Sequence, residues 1–381
     1  MKRVSMRAYL FQSLALVALA ACGASPPATA EANSAGQRTE QGRPFTVIEL
    51  STFQAPWAMD FLPASGPLAN MALVTEKPGR LWLVDVTDGN RQQVTGVPAV
   101  KAMGQGGLGE VVAHPGFAGN QRVYLSYVER GAGGISGAVL GYGRLMLGQG
   151  QPRIDGFKVI WRQTPKVTGN GHYAHRIAFA PDGTLYLSSG EREKKQPAQD
   201  RNVDLGKIIH MTAEGQRIGG PFATMGHRNV LGLDFAPDGR LWAAEMGPQG
   251  GDEFNLIVPG RNYGWPEVSY GSHYGGGAIP DDHKSRGFEE PKLWWNPAIS
   301  PGALLIYSGN LFPQWKGDAL IAALSGQALV RVDIEGDRAR KANQWDMGTR
   351  IRAVDQGPDG AVYLLEDGDG GRLLRLDPVR E

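Results

Sequence analysis

The sequence predicts an all-β protein, a six-bladed β-propeller with four-stranded blades, and three observations predict it. The first is turn content. Glycine supplies 54 and proline 25 of the 381 residues, about a fifth of the chain against a usual share near 12%. The second is a recurring unit in which a Pro-Asp-Gly turn precedes an apolar strand, plainest in Phe179–Gly190, Phe235–Glu245 and Gly357–Glu366. Weaker copies at Lys77–Val84, Pro115–Ser126 and Phe312–Ala322 bring the copies to six, with turns near residues 78, 118, 182, 238, 317 and 358. Turn residues bounding short apolar runs are the signature of strands, and uneven spacing follows if loops are inserted on a common blade. The third is that no 12-residue stretch carries a convincing helical period, which weighs against a doubly wound α/β fold. A pair of β-sandwiches is the competing all-β arrangement.

Taken in chain order, residues 1–21 read as an export signal. Lys2, Arg3 and Arg7 precede an apolar run from Tyr9 to Ala21, which suits a signal core and is too short to span a membrane. Leu19-Ala-Ala-Cys22 resembles the lipobox of bacterial lipoproteins, in which the cysteine is lipidated and becomes the mature N-terminus. The competing reading is an ordinary cleaved signal with an incidental cysteine. Gly23 in place of an aspartate favours, by that resemblance, the outer membrane, so the expected location is the periplasm with a lipid anchor at Cys22. Residues 22–43 are rich in Ala, Ser, Pro, Gly and Gln and read as a flexible tether. Residues 44–381 form the propeller. Its ring is expected to close by pairing Phe45–Leu50 with Arg372–Leu376, so that strands from both ends of the chain share one blade.

Charge and cysteine content exclude several functions. Lys and Arg total 39 against 38 Asp and Glu, with no long block of one sign, so the electrostatic footprint of a nucleic-acid binder is missing. Cys22 is the only cysteine, which rules out an intrachain disulfide and a thiolate metal cluster. Gly104-Gln-Gly-Gly-Leu-Gly109 satisfies the dinucleotide fingerprint literally, but no buried strand precedes it and Pro115 stops any helix that would follow. Asp367-Gly-Asp369-Gly-Gly371 lacks the glutamate that closes an EF-hand loop and reads as a hairpin turn.

The densest polar segments are Gly226-His-Arg-Asn229, Glu245-Met-Gly-Pro-Gln-Gly-Gly-Asp-Glu253-Phe-Asn255 and Arg261-Asn-Tyr-Gly-Trp-Pro266. Together with Gly104-Gln105-Gly-Gly-Leu108, Gly171-His172-Tyr-Ala-His-Arg176, Ala198-Gln-Asp200 and Thr349-Arg-Ile-Arg352, they resemble the soluble aldose sugar dehydrogenases dependent on pyrroloquinoline quinone (PQQ), the glucose/sorbosone dehydrogenase family. The resemblance runs in matching order from about residue 44 to the C-terminus. It implies a six-bladed propeller with PQQ in a central groove, Ca²⁺ beside it, and oxidation of aldose sugars at C1 to lactones, with electrons passing to an external acceptor.

Carried over position by position, the resemblance makes His172 the catalytic base, Glu191 the carboxylate that orients it, and Arg228 a member of both the catalytic and the cofactor set. Gln105, Asn229, Arg350 and Arg352 join His172 and Arg228 as cofactor-binding residues. The chemistry is consistent, because PQQ carries three carboxylates that guanidinium groups pair with bidentately, and an imidazole accepts protons near neutrality. Calcium takes oxygen ligands. The main-chain carbonyls of Gly247 and Pro248 match one ion position, and Glu253 and Tyr263 a second. His175 reads as structural. Trp294-Trp295 reads equally as a sugar-stacking platform or as core between blades. One departure stands out: where the family pattern has a lysine beside the cofactor, this chain has Ser325-Gly-Gln327. That loss keeps a non-catalytic sugar- or protein-binding propeller as the alternative, with a metal-dependent lactonase on the same architecture as a further one.

Overall fold

A computed structural model describes residues 42–379 apart from residues 64 and 149. The expected signal and nearly all of the tether, Cys22 included, lie outside the described residues. Six antiparallel four-stranded sheets make up the fold. Their inner strands are Pro56–Phe61, Leu108–Ala113, Ala174–Phe179, Val230–Phe235, Pro301–Ile306 and Ile351–Gln356, here numbered as blades one to six. Each inner strand packs against the next, and blade six packs back against blade one. The expected six-bladed propeller is therefore the fold, and the longest α-helix among the described residues is the four-residue Phe117–Asn120.

Blade six closes the ring as expected. Phe45–Gln54 forms its outermost strand, antiparallel to Asp369–Pro378, with Val47 opposite Leu376 and Ile48 opposite Arg375. Three of the second strands, Leu241–Glu245, Ala319–Ala323 and Val362–Glu366, are buried at every residue. Strands sandwiched between neighbouring blades expose neither face, which is why they read as continuous apolar runs.

The Pro-Asp-Gly turns join the inner strand to the second strand, and their chemistry repeats. Asp182, Asp238 and Asp359 each accept a hydrogen bond from the amide two residues on, at 2.9, 3.1 and 3.1 Å. The glycine between adopts φ of 84 or 85°, a conformation costly for any side chain with a Cβ. The copies near 118 and 317 occupy the same connection in blades two and five. The copy at Lys77-Pro-Gly does not: it joins the second strand of blade one, Met71–Glu76, to the third, Arg80–Asp85. A Pro-Gly turn before an apolar strand describes any hairpin of the blade, so this copy is one strand out of phase. The hairpin turn read at Asp367–Gly371 is present, its connection being Asp367 and Gly368 and its last three residues opening the strand Asp369–Pro378.

The next-to-last residues of the six inner strands are Asp60, Val112, Ala178, Asp234, Leu305 and Asp355, and all six line an axial cavity of about 210 Å³. Burial pushes the Asp60 and Asp234 carboxyls up to about 7. Burial, and then the Asp60 carboxylate, raise Asp355 well above the usual carboxylate range. Such a group holds its proton more tightly in the folded state than in the unfolded one. Its contribution to stability is greatest below about pH 4 and is lost as pH rises toward 7. Asp355 Oδ1 accepts the Gln356 amide at 2.7 Å, while Oδ2 is buried without a partner. Asp355→Asn keeps that bond and removes the charge. It is expected to be more stable than the parent at pH 8 by about 1–3 kcal/mol and to lose less stability between pH 5 and 8. Urea midpoints measured across that range check this, and parallel curves would contradict it.

Candidate active site

The loops that enter the inner strands and the turns that follow the second strands come to the same end of the axis. Two cavities lie there. One, of about 580 Å³, is lined among others by Gln105, His172, Arg228, Gly247, Pro248 and Ser325. The other, of about 230 Å³, is lined among others by Lys77, Gln105, Arg350 and Arg352. Gln105, Met246 and Ser300 border both.

His172 sits at the end of the loop entering blade three, and Glu191 follows that blade's second strand. The His172 Nδ1 meets Glu191 Oε1 in a hydrogen bond, and the carboxylate also accepts the Glu193 amide at 3.0 Å and the Lys195 amide. Burial alone would raise Glu191. The bond to His172, its charge, the Lys195 amide and the Arg228 guanidinium outweigh burial and hold the carboxyl below its ordinary range. With Nδ1 engaged by an ionised partner, Nε2 is the nitrogen left to accept a proton. The Gln105 side chain accepts the His172 amide at 2.7 Å, so Gln105 also fixes the base's backbone. His172, Ala174, His175, Arg192, Glu193 and Lys195 all have φ between 46 and 64°. Left-handed residues other than glycine are strained and cluster at functional sites. The close approach of the two segments requires Gly190, where a Cβ would lie 2.0 Å from the His172 carbonyl oxygen.

Arg228 and Asn229 immediately precede the inner strand of blade four, and Glu245, at the end of the neighbouring strand, anchors them. Its carboxylate accepts the Arg228 and Asn229 amides and pairs with His227 Nδ1 at 2.9 Å. Arg228 bonds the Met246 carbonyl at 3.0 Å, yet its Nε is buried without a partner. Asn229 is fully buried and accepts the Ala174 amide at 3.1 Å. The Gly247–Pro248 loop is braced by Asp252, which accepts the Gly247 amide at 2.8 Å and the Ser300 amide at 2.6 Å. Burial pushes Asp252 up to about 6 despite these bonds.

Arg350 and Arg352 converge on Asp367, at 2.8 Å for each. Burial, and only then Asp367, governs Arg352, with the net effect of lowering its pKa. The carboxyl of Asp367 is held below its usual range because the two arginines outweigh its burial.

Several expected positions lie elsewhere. Glu253 and Tyr263 line neither cavity. Glu253 is pushed up to about 8 by burial and by Glu245, and the Tyr263 hydroxyl is committed to the Leu256 carbonyl and the Val258 amide. A cation held by Tyr263 would therefore have to use its main-chain oxygen. Trp295 is core, 5% exposed, and Trp294 stacks on Tyr270 at 3.9 Å, so neither offers a free face to the cavities. His175 is buried, stacked on Trp57 at 4.9 Å and bonded to Ser126 Oγ at 2.7 Å. Burial lowers its pKa to about 3, which keeps it neutral. Ser325 borders the larger cavity and bonds the Ala298 carbonyl and Ser300 Oγ. Glu245, Asp252 and Asp367 are the contributors to the site that sequence reading did not single out. Each acts across strands or blades, and no local spacing marks such a contact.

The glucose/sorbosone dehydrogenase family model matches residues 53–375. The chain is 34% identical to the aldose sugar dehydrogenase YliI of Escherichia coli strain K12, over 85% of this chain and 90% of that protein. The apo-form crystal structure of the soluble aldose sugar dehydrogenase from Escherichia coli superposes with a TM-score of 0.82 at 33% identity, covering 88% of this chain and 99% of that one. The PQQ-bound aldose sugar dehydrogenase of Streptomyces coelicolor superposes with a TM-score of 0.70 at 27% identity, covering 87% and 98%. With a match that runs from the closing strand through all six blades, the chain belongs to the glucose/sorbosone dehydrogenase family of oxidoreductases.

Proposed function

We propose that the protein is a quinoprotein aldose sugar dehydrogenase, which oxidises aldoses at C1 to lactones and passes the electrons to an external acceptor. The observation that carries this reading is the His172–Glu191 pair, with His172 on the wall of a cavity that Arg228 also lines, beside a second cavity lined by Arg350 and Arg352. The residues present fit PQQ. Arg228 Nε is buried without a partner, Arg350 and Arg352 share a single carboxylate, and Gln105 borders both cavities. These four would hold the cofactor, whereas Asn229, expected to join them, is fully buried, lines neither cavity and would serve by fixing the Ala174 amide beside them. Among the described residues no three His, Cys, Asp or Glu side chains gather as a metal-ligand set, so a calcium ion beside the cofactor would draw on the main-chain oxygens of Gly247 and Pro248. Glu253 and Tyr263 would serve a second ion outside the cavities.

When bound, the quinone supplies the acceptor for the C1 hydride, and the ion supplies Lewis acidity. The chain's own part is proton handling and orientation. His172 Nε2 takes the proton of the C1 hydroxyl, and Glu191, ionised against His172 Nδ1, stabilises the imidazolium that results. Arg228, tied at one nitrogen to the Met246 carbonyl, presents fixed positive charge to the larger cavity. Purified protein supplied with PQQ and Ca²⁺ is expected to reduce a dye when given aldoses. Absence of turnover across a panel of aldoses would overturn the reading.

The expected export and the anchor at Cys22 fit this assignment, since such chemistry needs no cytosolic nicotinamide. Incorporation of labelled fatty acid into the parent but not into Cys22→Ser tests the anchor.

A further inference from the structure

Lys77 stands outside every role given so far, and its surroundings ask for one. It lies in the turn between the second and third strands of blade one and lines the smaller cavity with Gln105, Arg350 and Arg352. Its backbone is fixed: its amide donates to the Ala55 carbonyl at 2.9 Å, and its carbonyl accepts the Leu108 amide at 3.1 Å. The side chain reaches the loop entering blade two, where Nζ donates to the Gly104 carbonyl at 2.8 Å. That contact uses one of three donors. The charged groups around it are Arg352 and Asp367, and burial followed by Arg352 depresses its pKa. Asp367 is already shared by Arg350 and Arg352. Three cations from blades one and six thus face one cavity with a single carboxylate among them. Such an imbalance in a partly desolvated pocket favours an anionic ligand with more than one carboxylate.

We propose that Lys77 is a direct ligand of the bound cofactor, completing with Arg350 and Arg352 a polycarboxylate subsite between blades six, one and two. This rests on the quinoprotein reading. The role is binding: Lys77 makes no contact with His172 or Glu191, and the subsite holds the carboxylates rather than the reacting atoms. It also gives the smaller cavity a cation of its own, whereas Ser325 borders the other cavity.

The test is PQQ affinity, read by quenching of tryptophan fluorescence in the presence of Ca²⁺, with no sugar added. Lys77→Met and Lys77→Gln are expected to weaken binding roughly 10- to 100-fold, the size of one charge-assisted hydrogen bond. Lys77→Arg should stay close to the parent. Loss of a charge contact should also make affinity less sensitive to added salt in Lys77→Gln than in the parent, an effect that merely loosening the Gly104 loop would not produce. Lys77→Gln keeps a donor within the side chain and carries the test if Lys77→Met fails to fold, with thermal melting as the check. Equal affinity and equal salt dependence in parent and Lys77→Gln overturn the proposal while leaving the quinoprotein reading in place. A parent protein that binds no PQQ overturns both.

Discussion

Replacing His172 by alanine is expected to slow sugar-driven reduction of bound cofactor by about 10²–10⁴-fold, the usual contribution of a general base. Folding and cofactor affinity should change little. His172 is mostly buried, but its side chain reaches only Glu191 among the protein's hydrogen-bonding groups, and the backbone bonds at this position survive the substitution. Glu191→Gln should also lower turnover. A neutral amide cannot stabilise the imidazolium as a carboxylate does, and its NH₂ must face a donor, because Glu191 accepts from His172, Glu193 and Lys195 together. Part of its cost will therefore appear as lost stability, whereas that of His172→Ala will not. Single-turnover reduction with cofactor saturating separates the two. An unchanged rate in His172→Ala would remove this residue from the mechanism.

What made this region legible was that its residues come in short runs. Gly226-His-Arg-Asn229 and Gly171-His172 each lie in one loop, and the fold brings those loops to a common end of the axis. The blades were legible because an Asp-Gly turn has a local cause, the aspartate bonding the amide two residues ahead. The copy at Lys77 misled because a Pro-Gly turn, here closed by the Gly79 amide on the Glu76 carbonyl at 2.9 Å, serves another hairpin of the blade equally well. Other features have no local cause. Lys77 meets Arg352 only because blades six and one close the ring. Asp252 braces both its own loop and Ser300 in the next blade. Glu253 falls in the same dense polar segment as Gly247 and Pro248, yet it stands one residue past Asp252 in the strand Asp252–Ile257 and lines neither cavity, whereas Asp252 lines the larger one. Strand alternation decides that, and a motif in a row of letters does not display it.

The largest stability effect is expected from Arg176, a residue that no spacing marks out. Its side chain lines the axial cavity. From blade three it bonds Glu110 of blade two at 2.8 Å, the Leu231 carbonyl of blade four at 2.7 Å and the Gly302 carbonyl of blade five, and it lies 4.0 Å over the Trp57 ring of blade one. Five blades are thus tied through one side chain that is 5% exposed. Arg176→Met keeps much of the aliphatic bulk but strands Glu110, which is itself 7% exposed. Burial already raises the Glu110 carboxyl against the opposing pull of Arg176, so the lone carboxyl would have to take up a proton or remain charged without a partner. Removing one member of a buried pair costs about 3–5 kcal/mol, roughly 4–7 °C in melting temperature for a domain of this size. Adding Glu110→Gln to Arg176→Met should restore part of that loss, because the stranded charge is gone while the lost carbonyl contacts are not. Thermal melts of the two single variants and the double variant give the coupling directly. If Arg176→Met melts with the parent, the axis is held by strand packing alone and the guanidinium contributes nothing to the ring.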